Sequence, residues 1–114
     1  MNNPEIKQRI LKNSISLKQY GLNELAWSKS EALQLITSLM NEHIGILGGD
    51  VYQISNKQLR PVYENWWCEQ SEKETTSEYH LRSKIESKEY INDYPTNSSE
   101  QIIFSITFTE KIEF

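Results

Sequence analysis

The sequence predicts an α+β domain: a mostly antiparallel sheet of three to five strands with helices packed on one face. Three observations carry this. A segment opening at Ser28 places Ala32, Leu35, Ile36, Leu39 and Met40 on one helical stripe behind a serine cap. Gln101 to Thr109 alternates, with Ile102, Phe104, Ile106 and Phe108 on one side and Ile103, Ser105, Thr107 and Thr109 on the other. Two further runs, Ile44–Ile54 and Val62–Glu69, are rich in β-branched and aromatic residues. With 114 residues, positions 1–114 make a single domain able to bury a core without disulfides.

The elements follow in order. Pro4 suits a first helical position, and Ile6, Ile10 and Leu11 recur at helical spacing, which predicts a helix over about residues 4–12. A break follows from Asn13 to Leu17, with room for a brief extended piece, and Gly21 marks a turn. Leu22 to Trp27 is ambiguous in type but carries Leu22, Leu25 and Trp27 for the core. Ser28 and Glu31 form a capping-box pair, and the helix they open should end near Glu42 or His43, where the helix dipole favours a protonated imidazole.

Ile44 to Ile54 contains the adjacent pair Gly48-Gly49, half of the chain's 4 glycines. Glycine there fits a tight turn between two short strands, with Asp50 capping it. The same pair would also let Asp50 and Tyr52 be presented on a binding surface, and the two readings are compatible. Asn56-Lys57 suits a hairpin turn, and Pro61 closes the polar stretch after it. Alternation from Val62 onward sends Trp66 and Trp67 to opposite faces, so one should be core and the other needs a cover or a partner. A helix from about Glu74 to Tyr94 should start at a Ser71–Glu74 box or at Ser77. It carries Leu81, Ile85 and Ile91 on its apolar stripe and Tyr79, Tyr90 and Tyr94 on the opposite face. Pro95 stops it, Thr96 to Glu100 is a polar linker, and Lys111 and Glu113 protect the edge of the last strand.

Composition narrows the function. Twelve Lys and Arg against 16 Asp and Glu give a net charge of −4, which disfavours nonspecific nucleic-acid binding and an anionic membrane surface. The single cysteine, Cys68, fits a reducing compartment. The first ten residues lack the apolar run of a signal peptide and no stretch approaches a membrane span, so a soluble cytoplasmic protein is the expectation. Catalytic constellations are poor. Cys68 and His80 have no local pattern of a nucleophile–base pair, Gly48-Gly49 lacks the Lys-Ser/Thr of a phosphate loop, and no Cys or His stands at metal-ligand spacing. No enzyme, metal or cofactor is expected.

Charge says more. Glu64 to Glu78 holds five glutamates and one lysine, a net charge equal to that of the whole chain, beside Tyr63, Trp66 and Trp67. Aromatic anchors supply desolvated contacts, and carboxylates supply steering and pairing to Arg and Lys. A solvated loop and a dipole-favoured helix start explain the charges equally well.

The succession Ala26-Trp27, Ala32-Leu33, Ile46-Leu47-Gly48-Gly49-Asp50-Val51-Tyr52, Pro61 to Glu69, Arg82-Ser83 and Tyr90-Ile91 resembles the immunity protein 40 family of bacterial polymorphic toxin systems, over roughly Leu17 to Phe108. The Leu-Gly-Gly-Asp-Val-Tyr and Tyr-x-Asn-Trp-x-Cys runs are its most specific pieces. The resemblance implies a small α+β protein that binds and neutralises a cognate toxin, without catalysis. Joined to the charge pattern, it makes Asp50, Tyr52, Tyr63, Glu64, Trp66, Glu69 and Glu72 the expected contact set for a toxin with a basic surface. The alternative is a small-ligand-binding or regulatory α+β domain, whose mark would be a deep pocket lined by Asp50 and Trp66 or Trp67.

Overall fold

The computed structural model describes residues 3–96 and 100–114. Helix α1 spans Pro4–Lys12, β1 Ile15–Ser16, a 3-10 turn Lys18–Tyr20, β2 Leu25–Ser28 and α2 Lys29–Ser38. Then come β3 (Ile46–Ser55), β4 (Gln58–Trp67), α3 (Thr76–Asp93) and β5 (Gln101–Phe108). The five strands form one sheet in the order β1-β2-β5-β3-β4, and every pairing is antiparallel. The fold is α+β, as the sequence predicts. Within the expected linker from Thr96 to Glu100, residues 97–99 lie outside the described residues.

Local chemistry explains the helix starts. Asn3 caps α1, its side-chain oxygen accepting from the amides of Glu5 (3.0 Å) and Ile6 (3.2 Å), with Pro4 at the first position. Ser28 caps α2 by accepting from Glu31 N–H at 3.4 Å. Helix α3 starts at neither expected serine. Thr75 is its cap, in a reciprocal box with Glu78 (2.9 and 3.1 Å). Helix α2 ends at Ser38, earlier than expected, so His43 is not its terminal residue. The carbonyls beyond that end are taken by a buried lysine: Lys84 Nζ donates to Leu39 O, Met40 O and Glu42 O at 2.7, 3.2 and 2.8 Å. Three donors meet three acceptors, which is what makes an ammonium tolerable there.

All three helices contribute to one core on one face of the sheet. Ile6 and Ile10 from α1, Leu35 and Ile36 from α2 and Tyr79 and Ile91 from α3 join Trp27, Val51, Trp66, Phe104, Ile106 and Phe108 from the strands. The buried stripe of α3 keeps Ile91 of the expected three but otherwise departs from it. Tyr79, Ser83, Lys84, Ser87 and Ile91 face in, while Leu81 and Ile85 are exposed. The tyrosines win because they are long enough to place rings in the core while their hydroxyls stay satisfied; Tyr79 Oη donates to Cys68 O at 2.6 Å.

Four expectations about the strands are corrected. The Gly48-Gly49-Asp50 stretch is no turn; it lies inside the continuous strand β3, hydrogen-bonded on both sides. Pro61 likewise sits within β4, an edge strand where a missing N–H costs no ladder bond. Strand β5 needs no edge protection from Lys111 and Glu113, since β2 and β3 flank it. Its second face is not simply solvated either. Ile103 is buried with Leu17, Ala26 and Tyr52 in a second small cluster, roofed by Ile15, Tyr20 and Leu22. The Asn56-Lys57 hairpin is as expected: both residues take left-handed backbone (φ 53° and 63°) between the paired Ser55 and Gln58.

Candidate partner-binding site

The glycine pair and the tryptophan pair are cross-strand neighbours, Gly48 opposite Trp67 and Gly49 opposite Trp66. Residues directly opposite share a face, and consecutive residues alternate faces. One indole therefore lies on each side of the sheet. A Cβ on Gly49 would run into the Trp66 ring and the carbonyl oxygen of Ser105, and one on Gly48 would meet the Trp67 ring and the carbonyl oxygen of Trp66. The glycines are there to make room for the indoles and for the neighbouring strand, not to reverse the chain.

Trp66, expected as a contact residue, is core. It is 7% exposed, stacks on Tyr90 with centroids 4.8 Å apart, and donates from Nε1 to Ser87 Oγ at 2.9 Å. Trp67 is 63% exposed on the helix-free face. Tyr52 also leaves the expected contact set. It is buried, and its hydroxyl donates to the Glu24 carboxylate (3.1 and 3.2 Å). Burial first, then the Glu24 charge, pushes that phenol up to about 12. Ser105 Oγ also donates to Glu24, at 2.9 Å. Glu24, which sequence reasoning overlooked, is thus held by two hydroxyls on adjacent strands; no local pattern around it announces this.

Asp50 is exposed on the same face, cross-strand to Ser105 and Asn65. Desolvation first, and the nearby Glu24 second, hold its carboxyl above the usual range. Tyr63 is 89% exposed and has left-handed backbone at φ 64°. It sits where the ladder slips: Asp50 pairs with Asn65 and Tyr52 with Pro61, so Val62, Tyr63 and Glu64 oppose Val51 alone. Such a bulge pushes a side chain out of the sheet and blunts the edge strand. Glu64 is exposed on β4, near enough to Tyr90 and Tyr94 to add, second to burial, to the raised pKa of both phenols.

Glu69 and Glu72 are exposed in the loop before α3. The acidity of that loop is less free than its composition suggests. Arg82 grips Glu74 with two bonds (2.6 and 2.8 Å), reaches Glu86 at 2.8 Å, and donates to Glu69 O at 2.7 Å. Its guanidinium and the Ser71 amide lower the Glu74 pKa, and Glu78 is lowered by its bonds to Thr75. The counter-charge, Arg82, lies one helical turn beyond Glu78. The structure thus brings Asp50, Glu24 and Trp67 onto one face, Tyr63 and Glu64 onto the adjoining edge, and Glu69 and Glu72 into the loop after β4.

The Cys68 thiol is buried, and burial followed by Glu86 pushes its pKa up, away from thiolate character. No group of three or more His, Cys, Asp or Glu able to hold a metal ion occurs among the described residues, and no helix among them is long and apolar enough to cross a membrane. A cavity of about 340 Å³ opens beside the end of β2, lined by Ile10, Glu24, Trp27, Ser105, Phe108 and Ile112, among others; neither Asp50 nor the β4 tryptophans border it.

Neither a curated protein nor a solved structure matches the chain significantly. Residues 16–108 match the family described as immunity protein 40, covering β2 through β5 and all three tryptophans. The chain belongs to the immunity protein 40 family.

Proposed function

We propose that this protein is a cytoplasmic immunity protein that binds a cognate toxin domain with a basic surface and neutralises it by occupying that surface. The observation that carries the reading, beside family membership, is the run of exposed aromatic and acidic side chains along β4 and the loop after it: Tyr63, Glu64, Trp67, Glu69 and Glu72, with Asp50 alongside. The indole and phenol are amphipathic anchors of low conformational cost, and the carboxylates steer and pair a cationic partner. The buried, hydrogen-bonded Trp66 lies beneath this surface, and the buried Tyr52 lies beside Asp50 on the same face. The cavity that the ligand-binding alternative would use beside β2 is not lined by Asp50, Trp66 or Trp67.

The test is co-expression with the C-terminal domain encoded by the neighbouring reading frame. This protein should restore growth of cells producing that domain and bind it in purified form, with affinity falling as salt rises. Growth arrest that persists at full expression of a folded protein would overturn the proposal.

A further inference from the structure

The helix-free face of the sheet divides into two halves. Cross-strand register sets its side chains in rows. One row is Pro61, Tyr52 and Ile103, and there Leu17, Tyr20 and Leu22 close over the sheet. The next row is Asn65, Asp50, Ser105 and Ala26, and the one after it Trp67, Gly48 and Thr107. Ala26, at the β2 end of the first of these rows, is buried in the same small cluster as Leu17, but no helix or loop of the described residues contributes to a core over the rest of the two rows, and Trp67, Asn65, Asp50 and Thr107 are exposed there. No lysine or arginine belongs to them.

We propose that the cognate toxin seats on this uncovered half of the sheet face, with Trp67 as its central anchor and a lysine or arginine side chain of the toxin received between Asp50 and Glu24. The inference rests on the immunity reading and specifies its surface. Trp67 is a ready anchor because Gly48 beneath it leaves no side chain to tilt or cover the indole. A ring fixed in the free protein loses little freedom on binding. The two carboxylates flank Ser105: Asp50 is its cross-strand neighbour and Glu24 accepts its hydroxyl. Glu24 is aimed by two donors, whereas Asp50 has no ion pair among the described residues. Burial first, and the Glu24 charge second, raise the Asp50 pKa in the free protein, and a guanidinium or ammonium set between the two carboxylates replaces their repulsion with two charge-assisted contacts.

The experiment titrates the purified neighbouring-frame toxin domain against wild type and variants by calorimetry, with a thermal melt of each. Trp67→Ala should weaken binding 30-fold or more, the hot-spot range. Thr107→Arg, which adds bulk and positive charge at an exposed position, should weaken it at least tenfold, and Asp50→Lys should do the same while flattening the salt dependence. Leu81→Arg and Ile85→Arg, on the solvent side of α3, should stay within twofold. If wild type shows no binding, the immunity reading itself fails. If wild type binds and the folded Thr107→Arg and Asp50→Lys proteins bind as well as it does, the seat is wrong even though the function stands. Loss of binding confined to Leu81→Arg and Ile85→Arg moves the interface to α3. Should Trp67→Ala fail to fold, the other two face variants decide.

Discussion

Gly49→Ala is the smallest change that tests the packing of the sheet. The new methyl group meets the Ser105 carbonyl oxygen on one side and the Trp66 ring on the other. The carbonyl belongs to the central strand, so it yields only by opening the β3–β5 ladder. The ring yields only by leaving Tyr90 and Ser87. Overpacking of this kind costs about 1–3 kcal/mol. Displacing Trp66 adds about 0.5–1.5 for its stacking and about 1 for its hydrogen bond. The total is about 3–5 kcal/mol, a large share of the roughly 5–15 of a typical domain, and corresponds to a fall in melting temperature of roughly 12–20 °C at ~4 °C per kcal/mol. Urea and thermal denaturation followed by circular dichroism measure it. The comparison that isolates the cause is Gly49→Asn. Asparagine tolerates left-handed backbone, so at a turn it would be the milder substitution; under a steric ceiling it is no better than alanine. Gly21→Ala, at φ 83° with open space around it, serves as the conformational control at about 1 kcal/mol. If Gly49→Ala melts within 1 kcal/mol of wild type, or Gly49→Asn is clearly the better tolerated, the close approach of these strands is wrong.

Three further outcomes are expected. Phe104→Ala should cost about 3–5 kcal/mol and Ile103→Ala about 2–5, because opposite faces of β5 are both buried, while Thr107→Ala stays within about 0.5; a mild Ile103→Ala in urea denaturation would mean the second cluster does not form. Lys84→Met should cost about 2–4 kcal/mol by leaving three carbonyls behind α2 without their shared donor, and a wild-type melt would show water replaces it at no cost. In acid, Glu74 and Glu78 have folded pKa values below their ordinary 4.5, so their stabilisation is complete above pH 4.5 and is lost as pH falls through the lowered values; Glu78→Gln should flatten that loss. Asp50 has the opposite sign, since a raised pKa means its ionised form is disfavoured in the fold: Asp50→Asn should melt higher than wild type near pH 7, with the gap closing below pH 3.8, and an equal gap at both pH values would exclude this cause.

What the sequence revealed was local. The Pro4 start, the Ser28 cap, the Asn56-Lys57 hairpin and the strand beginning at Gln101 each depend on residues within a few positions, and each is found where expected. The glycine pair was misread because its signal is degenerate. A turn and a close approach both call for glycine, and the deciding fact is that two tryptophans lie opposite, across a hairpin. The face of α3 was misread for a related reason: counting apolar residues favoured Leu81 and Ile85, whereas the core wanted rings ending in hydroxyls, small serines and one lysine to serve the end of another helix. For the candidate site, which tryptophan points outward depends on register, and Glu24 enters only through the tertiary fold.

The sheet order has a kinetic consequence. Strand β5 is the last in the chain and lies in the middle of the sheet, between β2 and β3. Before it docks, β1–β2 and β3–β4 are separate two-stranded ribbons, and a lone ribbon is marginal in water. Joining them requires residues 26 and 105 to meet, a closure of about two thirds of the chain whose entropy is spent before most of the core contacts form. On the ribosome the sheet therefore cannot close while Gln101–Phe108 is still in the exit tunnel, and α1 and α2 must wait without the strand that Trp27 packs beside. Folding of this domain is committed from the strand that is made after the other four, once that strand is free to dock.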